Sequence, residues 1–456
     1  MTHTSTTDPL DVARREFVTG LPDHMQRLTW SADRLGAWRN ERLRALVSFA
    51  IQHSPYHRRR LAGVDLAGLG VADLPSLPVM SKADMMEHFD DVVTDRDLTR
   101  RELETHLDAV GEDPLLYRDE YFPVVSGGSS GMRGLFVYNR AAMADYLCGV
   151  MRNGIARMMP IVGFPPEPPI PLTMVAAPSS IHATRGLMSL TEGTIATPTS
   201  VPATLPFDEI VDRVERSRPM ILAGYTSTIA RLADEQAAGR LRIEPAMVLT
   251  TSEQLTEDLS RRIAAGFGAP PANSYATSEG LTGSAPPADD VFTFAGDLAV
   301  VEFVDADDRP VPVGDPADHV LLTNLFNHTQ PLIRYRLDDR MIECPPAEGH
   351  GHQRARLSGR TDDSLAIGGA TVHPLAIGTV LLRQPAVVEF QARHTASSFE
   401  VDVIADDSID LAALEADLDE ALAAAGCAGV AVVARLTESI PRDLRTGKVR
   451  RFVPCT

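Results

Sequence analysis

The sequence predicts a large layered α/β domain over residues 1–359, followed by a small α+β domain over residues 360–456. Three observations carry that expectation. "PMILAGYTSTIARLADEQAAG" and "AMVLTTSEQLTEDLSRRIAAGFG" each run an apolar strand straight into an amphipathic helix, the order of a parallel sheet covered by helices. Beyond Gly359-Arg360-Thr361-Asp362 the pattern changes: "SSFEVDVIA" alternates Phe399, Val401 and Val403 with Glu400 and Asp402, as a half-buried antiparallel strand does. At 456 residues the chain also exceeds what one ordinary core fills.

From Asp11 to about Leu61, apolar residues at three- and four-residue steps predict helix, and Ser81 is the N-cap of another helix opening at Lys82. "VVSGGSSGMRGLFVYNR" places a Gly/Ser loop between two short apolar strands, and "AAMADYLCGVMRNGIARMM" after it is helical. The Pro-rich "PIVGFPPEPPIP" reads as a surface connector and "LTMVAAPSS" as a buried strand. Gly239 closes the helix of the first strand–helix unit. Near the end, "DLAALEADLDEALAAAG" sets Leu411, Leu414, Leu418 and Leu422 on one stripe between an Asp410 cap and Gly426, and "GVAVVARL" supplies a further strand.

Composition narrows the function. Sixty-two acidic against 43 basic residues give a net charge of −19, which argues against a nucleic-acid surface. No apolar run approaches the ~18 to 20 residues of a membrane span, and "MTHTSTTDP" lacks a secretory signal's basic and apolar regions, so a cytoplasmic protein without a membrane partner is expected. Cys148, Cys344, Cys427 and Cys455 have no paired spacing and suit reduced thiols. Lys82 and Lys448 are the only lysines, so arginine meets nearly every general need for positive charge. A compact ammonium that survives such a bias is a candidate for a specific role.

Gly127-Gly128-Ser129-Ser130-Gly131 fits the G-x-S-x-G elbow of serine hydrolases, but that motif needs a helix directly after the serine, and "LFVYNR" is strand-forming. No Walker A pattern occurs. On its own residues the loop is either an anion cradle, with Ser126, Ser129 and Ser130 adding hydroxyls to its amides, or a plain surface turn.

Four further stretches follow in order: "NSYATSEG", "PLIRYRLDDR", "LSGRTDDSLAIGG" and "IPRDLRTGKVRRF". With the Ser/Gly loop they resemble the ordered motifs of the ANL superfamily of adenylate-forming enzymes, and "PYHRRRL", "VMSKADM", "VLTTSEQL" and "NSYATSEG" are similar to its phenylacetate–CoA ligase-like branch. The resemblance spans nearly the whole chain. It implies the ANL adenylating fold with a mobile C-terminal domain, ATP and Mg²⁺ as cofactors, and an acid activated as its acyl-AMP. A thiol such as coenzyme A or a carrier pantetheine then takes the acyl group. A homodimer is compatible with it.

The resemblance also assigns residues. Ser126 through Gly131 form the phosphate loop, and Ser252, Glu253, Asn273, Ser274, Tyr275, Asp339 and Arg360 surround adenine and ribose. Tyr275 has the aromatic face for a purine, and one carboxylate, Asp339, suits a vicinal diol. Ser278 donates to phosphate and Glu279 supplies the hard oxygen that Mg²⁺ prefers. Asp362 is the hinge, and Lys448 is the catalytic lysine that neutralises charge as carboxylate and α-phosphate meet. His182, Tyr225, Ala276 and Thr277 line the acid pocket.

Some positions depart from the pattern. Met132 and Arg133 stand where the phosphate loop usually ends in a basic residue and proline, Ala276 replaces glycine, and Gly368 follows Ala366 and Ile367 where a basic residue is usual. These changes bear on the acid and the acceptor more than on adenylation. Two outcomes therefore stand beside a small, aromatic or other organic acid and a thiol: an amine acceptor, or nitrite activated for diazotisation of an aryl amine. A degenerate nucleotide-binding regulator is a further alternative. Cys344, His350 and His352 form an incomplete zinc set, with no evident fourth ligand.

Overall fold

A computed structural model describes residues 8–109, 116–126, 134–163, 167, 169–176, 183–360, 365–367, 370–372, 377, 380–381, 384, 386–395, 397–405, 408–424, 426–441 and 452–454. The N-terminal helices are α1 (Pro9–Arg27), α2 (Ala32–His53) and α3 (Pro55–Arg60), opened by Asp8, Ser31 and Ser54, whose side chains each accept a backbone N–H of the first turn. In α4 (Lys82–Glu87) Ser81 and Asp84 form a reciprocal capping box, and α5 (Phe89–Val92) and α6 (Arg100–Ala109) follow.

The expected hairpin is present. β1 (Tyr121–Val125) and β2 (Leu135–Asn139) pair antiparallel with Val125 opposite Leu135, which rules out a strand–turn–helix elbow. Asn139 caps α7 (Arg140–Val162), which extends through Pro160 into the stretch expected to be a connector. Pro160 has no N–H to give the carbonyl four residues earlier, and the helix stops after Val162.

The strand–helix alternation then appears as β3 (Ile170–Ala176), α8 (Ala183–Thr191), β4 (Ala196–Pro202), α9 (Phe207–Ser217), β5 (Ile221–Tyr225), α10 (Thr226–Ala237), β6 (Met247–Thr251), α11 (Glu257–Phe267) and β7 (Ala272–Ala276). These strands are mutually parallel, and Ile221, Leu222, Ala223, Gly224 and Tyr225 are all buried, as a strand covered on both faces requires. From β7 onward the sheet turns antiparallel through β8 (Thr282–Ala285) and β9 (Val291–Phe294). A separate sheet of β10 (Ala299–Val304), β11 (His319–Asn324) and β12 (Tyr335–Leu337) follows, before β13 (Asp339–Cys344) and β14 (Arg354–Arg360) complete the edge. The nine-stranded order is β13-β14-β9-β8-β7-β6-β5-β3-β4. Composition alone did not reveal the antiparallel half.

Past residue 360 the described elements are β15 (Leu365–Ile367), β16 (Ala370–Val372), β17 (Val387–His394), β18 (Ser398–Ala405), α12 (Leu411–Ala424), β19 (Ala431–Leu436) and β20 (Phe452–Pro454). Phe399, Val401 and Val403 of β18 are buried as the alternation predicts, and Leu414, Leu418 and Leu422 pack with them in an apolar cluster drawn only from Leu365 onward. Asp410 accepts from the Ala413 N–H at 3.0 Å, and Gly426 has φ +87° past the helix end.

Two buried polar arrangements tie helices to the connections between strands. Arg152 of α7 donates to both oxygens of Asp297 at 2.6 and 2.9 Å, and the two side chains are 1% and 0% exposed. Burial alone would raise the Asp297 pKa, yet the Arg152 guanidinium holds the carboxyl well below the usual range. His57 of α3, fully buried, donates Nε2–H to the Pro331 carbonyl at 2.9 Å.

Candidate active site

The site is built where the parallel strands end. Tyr225 closes β5 opposite Thr251 of β6, and Thr251 lies opposite Ser274 of β7, so Tyr225, Ser252–Glu253 and Tyr275–Glu279 stand in a row at three adjacent carboxyl ends. Ligands of open α/β sheets bind beyond such ends. Ser252 holds φ +65°, a left-handed conformation rare for a residue with a side chain. After it, Glu253 reaches back to α10: its carboxylate accepts the Ser227 N–H at 2.7 Å and the Ser227 hydroxyl at 3.1 Å. Its negative charge there caps a helix N-terminus, so the side chain assigned to the nucleotide is engaged in the scaffold. Tyr225 is 4% exposed and packs in the core of the parallel half.

Asn273 accepts from the Thr250 hydroxyl at 3.2 Å, within the sheet. Tyr275 meets Phe292 and Phe294 in perpendicular contacts, each with centroids 6.0 Å apart, and lies opposite Gly283, whose missing side chain leaves room for the rings. Ala276 is exposed on the last residue of β7.

Beyond β7 the chain turns through Thr277, Ser278, Glu279 and Gly280. The Ser278 hydroxyl donates to the Val125 carbonyl at 3.3 Å, which sets this turn against the last residue of β1. Directly after it, the Ser126 N–H donates to Gly134 O at 2.9 Å, and Ser126 Oγ accepts the Gly134 N–H at 2.9 Å, closing the mouth of the loop. A Cβ at Gly134 would stand 2.9 Å from the Phe136 ring, so the closure requires glycine. The structure thus brings the Ser/Gly hairpin together with Ser278 and Glu279. Gly127 through Gly131, Met132 and Arg133 lie outside the described residues, as do His182, Asp362, Gly368 and Lys448.

Three consecutive carbonyls of the turn accept from three different buried side chains. Tyr146 of α7 donates to Thr277 O at 3.1 Å, Tyr138 of β2 to Ser278 O at 2.6 Å, and Asn324 to Glu279 O at 2.9 Å. Gly280 has φ +101°, and a Cβ there would lie 2.3 Å from Asn324 Nδ2. Asn324 opens a loop with amide side chains every third residue. Asn324 Oδ1 accepts the Phe326 and Asn327 N–H groups, and Asn327 Oδ1 those of Thr329 and Gln330. That leaves Asn327 Nδ2 to donate to Val137 O at 2.9 Å, while Gln330 accepts Val137 N–H at 2.9 Å and donates to Leu135 O at 3.2 Å. These amides stand in for a third strand along the open edge of β2. Tyr138, Tyr146, Asn324, Asn327 and Gln330 were not singled out from sequence, although three amides at three-residue spacing in "LLTNLFNHTQPLI" were a signal.

Asp339 and Arg360 are register partners on β13 and β14, so the two residues assigned to ribose face one another across one strand pair. Strand β9 separates that pair from β8 and the Thr277–Gly280 turn. The link toward the hairpin runs through Tyr335, four residues before Asp339, whose ring meets Phe136 edge-on at 6.2 Å. Asp338 pairs with Arg336 at 3.3 Å. Both ring nitrogens of His352 face backbone: Nδ1 accepts from Gly296 N–H at 3.1 Å, and Nε2 donates to Arg27 O at 2.8 Å, which removes it from a zinc set. Among the described residues no cluster of three or more His, Cys, Asp or Glu could hold a metal, and no helix is long and apolar enough to cross a membrane.

This architecture is that of the adenylate-forming acid–CoA ligases, as the ordered motifs implied. Over 376 residues the chain is 26% identical to the phenylacetate-coenzyme A ligase of Thermus thermophilus, covering 79% of this chain and 78% of that relative. The crystal structure of 2-hydroxyisobutyryl-CoA ligase with 2-HIB-AMP in the postadenylation state superposes with a TM-score of 0.70 at 20% identity, over 94% of this chain and 91% of that one. The same ligase with 2-HIB-AMP and CoA in the thioesterification state gives 0.56 at 21% identity, with the same coverage. No family model matches the chain.

Proposed function

We propose that the chain is an ATP-dependent, AMP-forming ligase for a small organic acid, an aromatic carboxylate by preference, with coenzyme A or another pantetheine thiol as acceptor. The acid's oxyanion attacks the α-phosphorus and pyrophosphate leaves, giving the acyl-AMP; the thiol sulfur then attacks the acyl carbon, AMP leaves, and a thioester forms. The observation that carries this reading is the seam between the end of β1 and the Ser278–Glu279 turn, where the loop's mouth and a buried carboxylate meet at the carboxyl ends of the parallel strands. The phenylacetate-coenzyme A ligase relative supports the choice of acid and thiol.

In this reading the loop amides and Ser126 receive the β- and γ-phosphates. The Ser126 oxygen already accepts from Gly134, and its own proton remains to donate. Tyr275, fixed by Phe292 and Phe294, lies along the adenine, and Asp339 takes the ribose hydroxyls with Arg360 beside it. Glu279, 6% exposed, fits as the protein's oxygen ligand to Mg²⁺, which is usually held by one or two carboxylates together with substrate phosphates. When bound, that ion neutralises charge on the departing pyrophosphate.

Lys448, which the sequence alone supports, approaches the carboxylate and α-phosphate from the C-terminal part, with Asp362 as the hinge. Sheet pairing through Arg360 and the separate apolar cluster from Leu365 onward support a division near residue 360. The test is acid-dependent ATP–pyrophosphate exchange over a panel of aryl acids, followed by thiol consumption with coenzyme A. Exchange is expected with an aryl acid and is expected to fall on the order of 10² or more in Lys448→Ala. Exchange without thioester removes the thiol assignment, and exchange with nitrite in place of an acid points to diazotisation.

A further inference from the structure

The geometry points to Tyr138 and Asn324 as positioning residues for Glu279, acting through the two peptide planes that flank its Cα; this rests on Glu279 being the metal ligand of the proposed reaction. A peptide group is planar, so a hydrogen bond that fixes a carbonyl fixes the orientation of the whole unit. The Ser278 carbonyl belongs to the plane before Glu279 and the Glu279 carbonyl to the plane after it. Tyr138 holds the first at 2.6 Å and Asn324 the second at 2.9 Å. With both planes held, the φ and ψ of Glu279 are determined and so is the direction of its Cα–Cβ bond.

The donors are themselves immobilised. Tyr138 is 1% exposed and stacks between Tyr146, with centroids 5.6 Å apart, and Phe326, at 6.2 Å. Asn324 is fully buried, and its Oδ1 accepts two N–H groups of its own loop, which orients Nδ2 toward Glu279.

Tyr146 acts one peptide earlier. It bonds the Thr277 carbonyl, which also accepts the Gly280 N–H at 3.0 Å, so that carbonyl keeps a partner without it. This asymmetry separates positioning from general packing, because Tyr138→Phe and Tyr146→Phe delete chemically identical hydroxyls from adjacent stacked rings.

The experiment measures Mn²⁺ binding to the full-length protein at fixed ATP, without acid, by water-proton relaxation enhancement, alongside melting temperature. Tyr138→Phe is expected to weaken Mn²⁺ binding about tenfold, at the lower end of what loss of a ligand-orienting partner causes. Tyr146→Phe should stay within about threefold of wild type, and Asn324→Asp, which keeps the Oδ1 contacts and loses the donor, should follow Tyr138→Phe. Wild-type Mn²⁺ affinity in Tyr138→Phe, or equal losses in both phenylalanine variants that track their melting temperatures, overturns the inference; Asn324→Asp decides if Tyr138→Phe does not fold. Glu279→Gln separates this from the underlying reading. If it leaves Mn²⁺ affinity unchanged, the metal-ligand assignment fails; if it weakens binding while Tyr138→Phe does not, only the positioning role fails.

Discussion

Acid should destabilise this protein through one buried imidazole. Burial, reinforced by the Arg60 charge and opposed by the hydrogen bond to Pro331, pushes the His57 pKa from 6.5 down to about 3. The Nε2–H is already donated to the Pro331 carbonyl, so protonation must occur at Nδ1, which has no hydrogen-bond partner. The unfolded chain takes up that proton below about pH 6.5 and the folded chain only near 3. Stability is therefore complete above pH 6.5 and falls as pH drops through the window between the two values. Linkage gives about 1.4 kcal/mol per pH unit inside the window, or roughly 2 kcal/mol by pH 5.

The assay is urea denaturation of wild type and His57→Gln from pH 7.5 to 5, followed by fluorescence. Glutamine retains an amide N–H for Pro331 and does not titrate. Carboxylate titrations act equally on both proteins and cancel in the difference. The variant should lose about 2 kcal/mol less than wild type over that range. Parallel curves for the two proteins would refute the reasoning and show that His57 takes up its proton in the folded state without penalty.

Two further perturbations test other parts of the scaffold. Asp297→Ala leaves the Arg152 guanidinium buried without its bidentate partner and should cost about 3 to 5 kcal/mol by chemical denaturation, while Arg152→Met with Asp297→Leu should recover most of that loss. Gly280→Ala places a Cβ 2.3 Å from the Asn324 amide at φ +101°. Its expected signature is at least a tenfold fall in acid-dependent pyrophosphate exchange with a stability loss of about 1 to 3 kcal/mol, read by exchange rate and melting temperature.

What the sequence disclosed follows local chemistry. The hairpin was legible because two short apolar strands flank a Gly/Ser loop, and the parallel half because runs such as "ILAGY" lead into helices. Part of the antiparallel half was hidden because β8 lacks an apolar signature. β8 is "TGSA", buried not by its own bulk but because α7 approaches at Gly149, where a Cβ would meet Thr282 Oγ1 at 2.8 Å.

Tyr275, Ser278 and Glu279 stand out as candidates in the sequence because their motif and residue types point to nucleotide chemistry. Tyr138, Tyr146 and Asn324 do not, since each acts on a carbonyl that is distant in sequence, 45 to 140 residues away. The contact of the Glu253 carboxylate with Ser227 at a helix start is not legible in the sequence, because only the tertiary arrangement brings residues 26 apart within reach.

The amide-lined edge of β2 has a consequence for how the hairpin relates to its surroundings. A neighbouring strand would have gripped the ribbon along its length and offered its own far side for further pairing. Carboxamides fasten it at separate points and end the ladder there, which denies stray chains a template. The ribbon is thereby held at Leu135 and Val137 with its outer edge closed, so the strand leading out of the proposed phosphate loop is fixed without recruiting a third strand.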